Sequence, residues 1–302
     1  MLAVFCAVGW SLAYPLIKVG YGIFAIEPDD LGSKLLFAGV RFLFAGLLVL
    51  ALCLKKKTPL AAQKRTDLLW LILLAVVNTT LHYMFAYLGL SRNPSSRSTI
   101  LDSMGGFILI FLSVLFFEDD SFNRRKVIGC LLGVSGIVLI NIDPHGGFFD
   151  NITFGGDGMI LLNALCGGFG GVITRIVSRK MNIVSATGYS MAAGGGLLVL
   201  AGLCTGVGRP WELRPGGIMV LAGLVLISAV CFGIYNELLA VYPISEIAIY
   251  NALIPVLGVM FASVILSEPL KWQYFAAVAL VAVGIRIVNQ KTSHRDKQDP
   301  AG

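Results

Sequence analysis

Long apolar runs, broken by short polar clusters, set the rhythm of this chain. Crossing a hydrocarbon core takes roughly 20 largely apolar residues. Runs of that kind fall at 2–21, 34–54, 68–90, 95–117, 126–142, 157–178, 183–206, 216–240, 244–266 and 271–289. With no water in the bilayer to satisfy backbone amides, each run is predicted to be a helix. Two runs are near copies: 98–118, STILDSMGGFILIFLSVLFFE, aligns without a gap on 248–268, AIYNALIPVLGVMFASVILSE. Each copy ends in a glutamate, followed by a polar loop and a Gly-bearing apolar run. A duplicated unit of membrane-length segments points to transporters before other classes.

The pattern predicts an all-α polytopic membrane protein with ten transmembrane helices, arranged as two repeats of five. The first repeat covers 1–142, a connecting loop 143–156, the second repeat 157–289, and a polar tail 290–302. No basic stretch precedes the first run and Lys18 sits at its far end, so it is expected to be a true helix and not a cleaved signal. The run begins abruptly, which leaves room for residues upstream of Met1.

Composition agrees with the pattern. The 302 residues are 57% hydrophobic and 13% charged, too few charges for a water-facing surface. The net charge of +6 does not imply nucleic acid, because the basic residues sit in short loops between apolar runs. There they set orientation. With the N-terminus in the cytoplasm, the inner loops hold Lys55, Lys56, Lys57, Lys64, Arg65, Arg124, Arg125, Lys126, Arg179, Lys180, Lys291, Arg295 and Lys297. The outer side holds only Lys34, Arg92, Arg97, Arg209, Arg214 and Lys271. Both termini are therefore expected inside. Five helices per repeat is an odd number, so the second repeat enters from the opposite side. That is an inverted-topology pair, with Glu118 inside, Glu268 outside and the connecting loop extracytoplasmic.

Polar groups inside apolar spans are costly and face a cavity or a partner helix. Trp10, Tyr14 and Lys18 share one face of the first helix, where Pro15 predicts a kink. Asn163, Gly167, Gly171 and Arg175 form the matching stripe on the sixth. Snorkelling to the headgroups is the bland reading of Lys18 and Arg175. Asn78 and His82 share a face of the third helix, beside Tyr83 and Tyr87; His82 is either a proton or substrate contact or a satisfied buried histidine. Asp102 is either a structural partner of Arg92 or Arg97 or a proton site. On the eighth helix Ser228, Phe232 and Asn236 share a face, with Tyr235 and Glu237 alongside. Asn251 is deeper than Glu246 in the ninth and the better cavity candidate. Arg41 and Arg286 are expected to pair with a carbonyl or an acid. The glycine runs 167–171 and 194–196 read as close helix packing. The six cysteines all fall within spans and read as free, buried thiols. No P-loop, zinc motif or nucleophile elbow is present, so no enzyme, metal or cofactor is expected.

Taken together, these residues resemble the drug/metabolite transporter superfamily, of the EamA-domain type. The resemblance rests on Ile254, Pro255, Glu268, Pro269 and Gly284 in the second half, and on Gly105, Glu118, Gly129 and Gly136 in the first. The opening GWSLAYPLIK is similar to that family's first helix. Gly105 stands where the family usually has proline, and Asp119 replaces the proline after the glutamate. The resemblance implies a bacterial cytoplasmic-membrane carrier of small metabolites, often an exporter of amino acids, with its substrate in a cavity between the halves. Carried onto this chain, the cavity would be lined by Trp10, Tyr14, Asn78, His82, Tyr83, Asp102, Asn163, Tyr235, Asn236 and Asn251. The expected partners are a small-molecule substrate, the lipid bilayer and, as a candidate coupling ion, the proton. The rival reading is a carrier of phosphorylated metabolites or nucleotide sugars using Lys18, Arg41, Arg175 and Arg286. A membrane-embedded scaffold or enzyme is the alternative of another class.

Overall fold

The computed structural model describes residues 1–59, 64–117, 124–141, 152–208, 211, 214–242, 247, 250–251 and 253–288. Regular structure among them is entirely helical. In chain order the helices are α1 (Leu2–Ile23), α2 (Leu31–Lys55), α3 (Arg65–Arg92), α4 (Ser95–Phe116), α5 (Arg124–Asn141), α6 (Phe154–Ser178), α7 (Ile183–Thr205), α8 (Pro215–Val241), α9 (Leu253–Leu266) and α10 (Trp272–Val288). Seven of these, α1–α4 and α6–α8, are long and apolar enough to cross a membrane; α5, α9 and α10 carry shorter apolar stretches. The N-terminal part predicted for α9, which includes Glu246, lies partly outside the described residues. So do Glu118, most of the connecting loop and the tail.

Polar residues set the helix ends. Asp30 caps α2 by accepting from the Ser33 N–H at 2.9 Å, and Asn182 caps α7 by accepting from Val184 and Ser185, both at 3.1 Å. Pro215 opens α8, where its missing N–H costs nothing. Inside α1, Pro15 deprives the Ser11 carbonyl of its helical donor, yet the helix runs through it.

Neighbour relations repeat with a shift of five helices. α2 packs along α7 and α5 along α10. α1 lies against α8 and α9, while α6 lies against α3 and α4. α2 also touches α8, as α7 touches α3. The α2–α7 crossing is the tightest, and glycines spaced by seven make it so: Gly32, Gly39 and Gly46 on α2 face Gly188, Gly195 and Gly202 on α7. A Cβ on Gly39 would stand 2.5 Å from the Val199 backbone nitrogen, and one on Gly202 2.8 Å from the Gly32 carbonyl oxygen. Of the run 194–196, Gly194 and Gly195 do pack against other helices, whereas nothing lies within 4 Å of a Cβ on Gly196. The faces turned away from the bundle carry exposed Phe44, Leu69, Leu115, Met219 and Val264, as lipid contact requires.

The cysteine expectation holds only in part. Cys6, Cys53 and Cys231 are buried, but Cys166 is half-buried and Cys204 exposed. Cys204 lies beside exposed Leu200 and Leu203 on the outward side of α7, where a small apolar thiol meets lipid and not protein. Cys130 falls outside the described side chains.

At one end of the bundle, charged residues clasp the helices together. Arg97 makes a two-pronged pair with Asp157, Nε to Oδ1 at 2.6 Å and Nη2 to Oδ2 at 2.9 Å, and Asn93 donates to the same carboxylate at 3.0 Å. Arg92 pairs with Asp29 at 2.6 Å. Glu268, just past α9, accepts from the backbone N–H groups of Ser95 and Ser96 at 2.7 and 3.0 Å and from the Ser96 hydroxyl at 2.6 Å. It is an N-cap for α4 supplied from the other half of the chain.

Candidate functional site

A cavity of about 210 Å³ lies in the middle of the bundle, walled by α1, α2, α3, α4, α6, α8 and α9 together with Asn251. Two local irregularities shape the wall. In α3, residues Ala75–Leu81 are wound as a π-helix, and the Thr80 hydroxyl donates to the Ala75 carbonyl at 3.1 Å and to that of Gly194 at 3.3 Å. π-Segments of this kind recur at functional sites, and this one carries Asn78 and leads directly into His82. In α4 the helix is interrupted at Ser103, whose hydroxyl donates to the Ile100 carbonyl at 2.5 Å. The interruption delivers Asp102, Ser103, Gly105 and Gly106 to the wall.

One flank of the cavity is polar. Asn163 Nδ2 donates to Asp102 Oδ1 at 2.5 Å and to the Tyr14 hydroxyl at 3.3 Å. The backbone carbonyl oxygen of Asn163 lies 3.0 Å from His82 Nδ1. A carbonyl only accepts, so Nδ1 carries a proton and donates it to this oxygen. The other flank is aromatic. Trp10 meets Phe232 and Tyr235 with ring centroids 5.3 and 4.7 Å apart, and Tyr83 stacks on Phe42 at 3.8 Å. Tyr235 is held by the Asn251 amide, which donates to its hydroxyl at 2.8 Å; Asn236 donates to Thr187 Oγ1 at 2.7 Å. Arg41 enters from α2, 1% exposed, donating from Nε to Ser228 Oγ at 2.8 Å and from Nη1 to the Tyr87 hydroxyl at 3.1 Å.

The family model described as the EamA-like transporter family matches residues 1–142 and 154–290. This chain belongs to the EamA-like transporter family. An uncharacterized transporter of Synechocystis is 31% identical, with 94% of this chain and 90% of that protein covered. The uncharacterized transporter YvbV of Bacillus subtilis is 26% identical over 97% of this chain and 92% of its own length. A WAT1-related chloroplastic protein of Arabidopsis thaliana is 27% identical over 83% of this chain and 62% of its own length. A crystal structure of a protein with 16% identity superposes with a TM-score of 0.68, covering 94% of this chain and 95% of that one, a likeness of fold. Family and apolar helices together make this an integral membrane protein and a membrane transporter.

Nine of the ten residues expected to face the cavity of this EamA-like transporter are in its wall: Trp10, Tyr14, Asn78, His82, Tyr83, Asp102, Tyr235, Asn236 and Asn251. Asn163 is the exception. It sits fully buried behind the wall, where α6 meets α1, α3 and α4, and it orients three wall residues instead of lining the space. Asp102 pairs with neither Arg92 nor Arg97, because Asp29 and Asp157 already hold those two. Arg41 has hydroxyl partners and not the carbonyl or acid expected of it. Lys18, Arg175 and Arg286 are outside the wall; Arg175 lies over the Phe117 ring at 4.4 Å, and Arg286 is exposed. Sequence reasoning missed the π-wound turn, which no Pro or Gly announces. It also left Phe232 out of the cavity set, although that ring shares a face with Ser228 and Asn236. Among the described residues no cluster of three or more His, Cys, Asp or Glu side chains could hold a metal.

Proposed function

We propose that this EamA-like protein is an alternating-access exporter of small, amphipathic metabolites such as amino acids, working in a bacterial cytoplasmic membrane with both termini inside. The observation that carries the reading is the cavity itself, which pairs an aromatic wall for an apolar side chain with hydrogen-bonding groups for a polar end. On this reading ten helices form two inverted repeats, 1–142 and 157–289, joined by an extracytoplasmic loop at 143–156 and followed by a cytoplasmic tail at 290–302. The five-helix shift in neighbour relations supports that arrangement, and so does a family match that breaks between residues 142 and 154. Substrate would lie between the halves and be exposed to each side in turn as one half rocks against the other.

The rival, a carrier of phosphorylated metabolites or nucleotide sugars, needs several cations facing the substrate. Of Lys18, Arg41, Arg175 and Arg286, only Arg41 reaches the cavity. Asp102 is the cavity carboxylate available to a coupling proton among the described residues. The purified protein in liposomes, screened for flux of pooled amino acids and phosphorylated metabolites with and without a pH gradient, tests the reading. Amino-acid flux is expected; flux of phosphorylated compounds alone would replace it with the rival, and no flux would remove both.

A further inference from the structure

We propose that Arg41 is the carboxylate anchor of the cavity, taking the anionic end of the transported metabolite on the Nη2 side of its guanidinium. The inference rests on the transport reading above and names the chemical group that the substrate must carry.

A guanidinium stays charged at every physiological pH, and burying it without an anion is costly. Buried cations in membranes accordingly pair, or they serve a pathway. Arg41 is buried in the second helix and borders the cavity. Among the described residues no carboxylate lies in salt-bridge range of it. Its two hydrogen bonds go to neutral hydroxyls, Ser228 Oγ and Tyr87 Oη, and Nη2 has no hydrogen-bond partner among those residues. Both hydroxyl-bearing residues are themselves fixed. Ser228 donates to the Leu224 carbonyl at 2.9 Å, and the Tyr87 backbone carbonyl accepts from the Tyr21 hydroxyl at 2.9 Å. The Phe42 ring lies against the guanidinium, 4.8 Å from Cζ to centroid. The fork is thus held in place by bonds that orient it without neutralising it. A structural arginine would be expected to spend its donors on carbonyls or an acid.

The surroundings match a carboxylate attached to an apolar body. Phe42 stacks on Tyr83, and Tyr83, Trp10 and Phe232 continue the ring wall along the cavity. The buried indole Nε1 of Trp10 has no hydrogen-bond partner either. A lone arginine suits one carboxylate, since planar bidentate bonding is what its geometry offers best. A phosphoryl group would call for further cations that this wall does not contain.

The test uses the full-length protein in liposomes and two matched probe pairs, L-leucine against isoamylamine and L-phenylalanine against phenethylamine. Each amine keeps side chain and amino group and lacks only the carboxylate. Wild type is expected to move the acids about 10- to 100-fold faster than the amines, the span expected for hydrogen bonds to a charged group. Arg41→Gln should bring that ratio close to one by loss of the acid rate alone, and Arg41→Lys should restore part of it. Tyr87→Phe and Ser228→Ala keep the charge and release the fork. They should raise half-saturation for leucine and leave the amine unchanged, and they carry the test if Arg41→Gln fails to fold. A wild-type preference for the amines, a ratio untouched in Arg41→Gln, or unchanged half-saturation in both hydroxyl variants overturns the anchor while leaving transport intact. If wild type moves none of the four probes, the amino-acid reading fails and the anchor with it.

Discussion

Glu268 ties the two halves of the chain together at one end of the bundle, and replacing it tests how α4 is held. Its carboxylate satisfies two N–H groups at the start of α4, those of Ser95 and Ser96, whose residues are fully buried. A helix start leaves such donors without intrahelical partners. Removing the acceptor from a buried donor costs about 1–3 kcal/mol per group, so Glu268→Ala should lose about 2–6 kcal/mol. Glu268 is only half-buried, and water admitted to the gap favours the low end of that range. Glu268→Gln retains one acceptor oxygen but gives up the charge at the helix N-terminus, about 0.3–1 kcal/mol, together with one of the bonds. Thermal unfolding of the detergent-solubilised protein should then rank wild type above Gln above Ala. At about 2–4 °C per kcal/mol for a larger chain, the Ala variant should melt at least 4 °C lower. Hydrogen exchange at the Ser95 and Ser96 amides should accelerate in both variants. A double-mutant cycle with Ser96→Ala should give coupling of about 0.5–3 kcal/mol, the range for residues in contact. Unchanged exchange at those two amides in Glu268→Ala would refute the cap. Asp102 lies nearly two turns along α4 from Ser96, so loosening the cap should also lower flux.

Three further outcomes follow from the packing. Gly39→Val and Gly195→Val each drive a side chain into the facing backbone and should destabilise by about 1–3 kcal/mol or more; Gly196→Ala meets open space and should melt like wild type. Asn163→Ala takes the amide donor away from both Asp102 and Tyr14, which should cost about 1–3 kcal/mol in stability and reduce flux even though Asn163 does not border the cavity. At Asp30, burial raises the carboxyl, but hydrogen bonds from Ser33 and Gly208 and the nearby Lys34 outweigh it and hold it below the usual carboxylate range. Its contribution to capping α2 is therefore complete above the unfolded value, near pH 4, and is lost as pH falls through the lower folded value. Asp30→Asn should flatten that acid limb in a pH series of melting temperatures.

Much of the fold was legible because lipid leaves a backbone so few choices. Apolar length alone located nine of the helices to within three residues at each end; for α9 the predicted start at 244 lies outside the described residues, and its described helix begins at Leu253. The cavity wall was legible for the same reason: Asn78, His82, Asp102 and Asn251 are expensive in an apolar span, so they face something other than lipid. What escaped was relational. A helical-face argument says where Asn163 points, but not that α1, α3 and α4 converge on it. The sequence offered Arg92 or Arg97 as partners of Asp102, one of two alternatives, without showing that Asp29 and Asp157 engage them. The π-wound turn at 75–81 carries no residue that marks it. By contrast, the seven-residue glycine spacing on α2 and α7 was present in both segments, but only their juxtaposition gives it meaning.

The central claim is that metabolites pass through the space between the halves, and blocking that space tests it most directly. Gly106 borders the cavity, and a Cβ at this position would meet nothing within 4 Å. Gly106→Trp should therefore fill the space without displacing backbone. In counterflow of labelled leucine into preloaded liposomes, the account predicts a variant that melts near wild type and exchanges at background rate. Exchange at the wild-type rate through the plugged protein would contradict it.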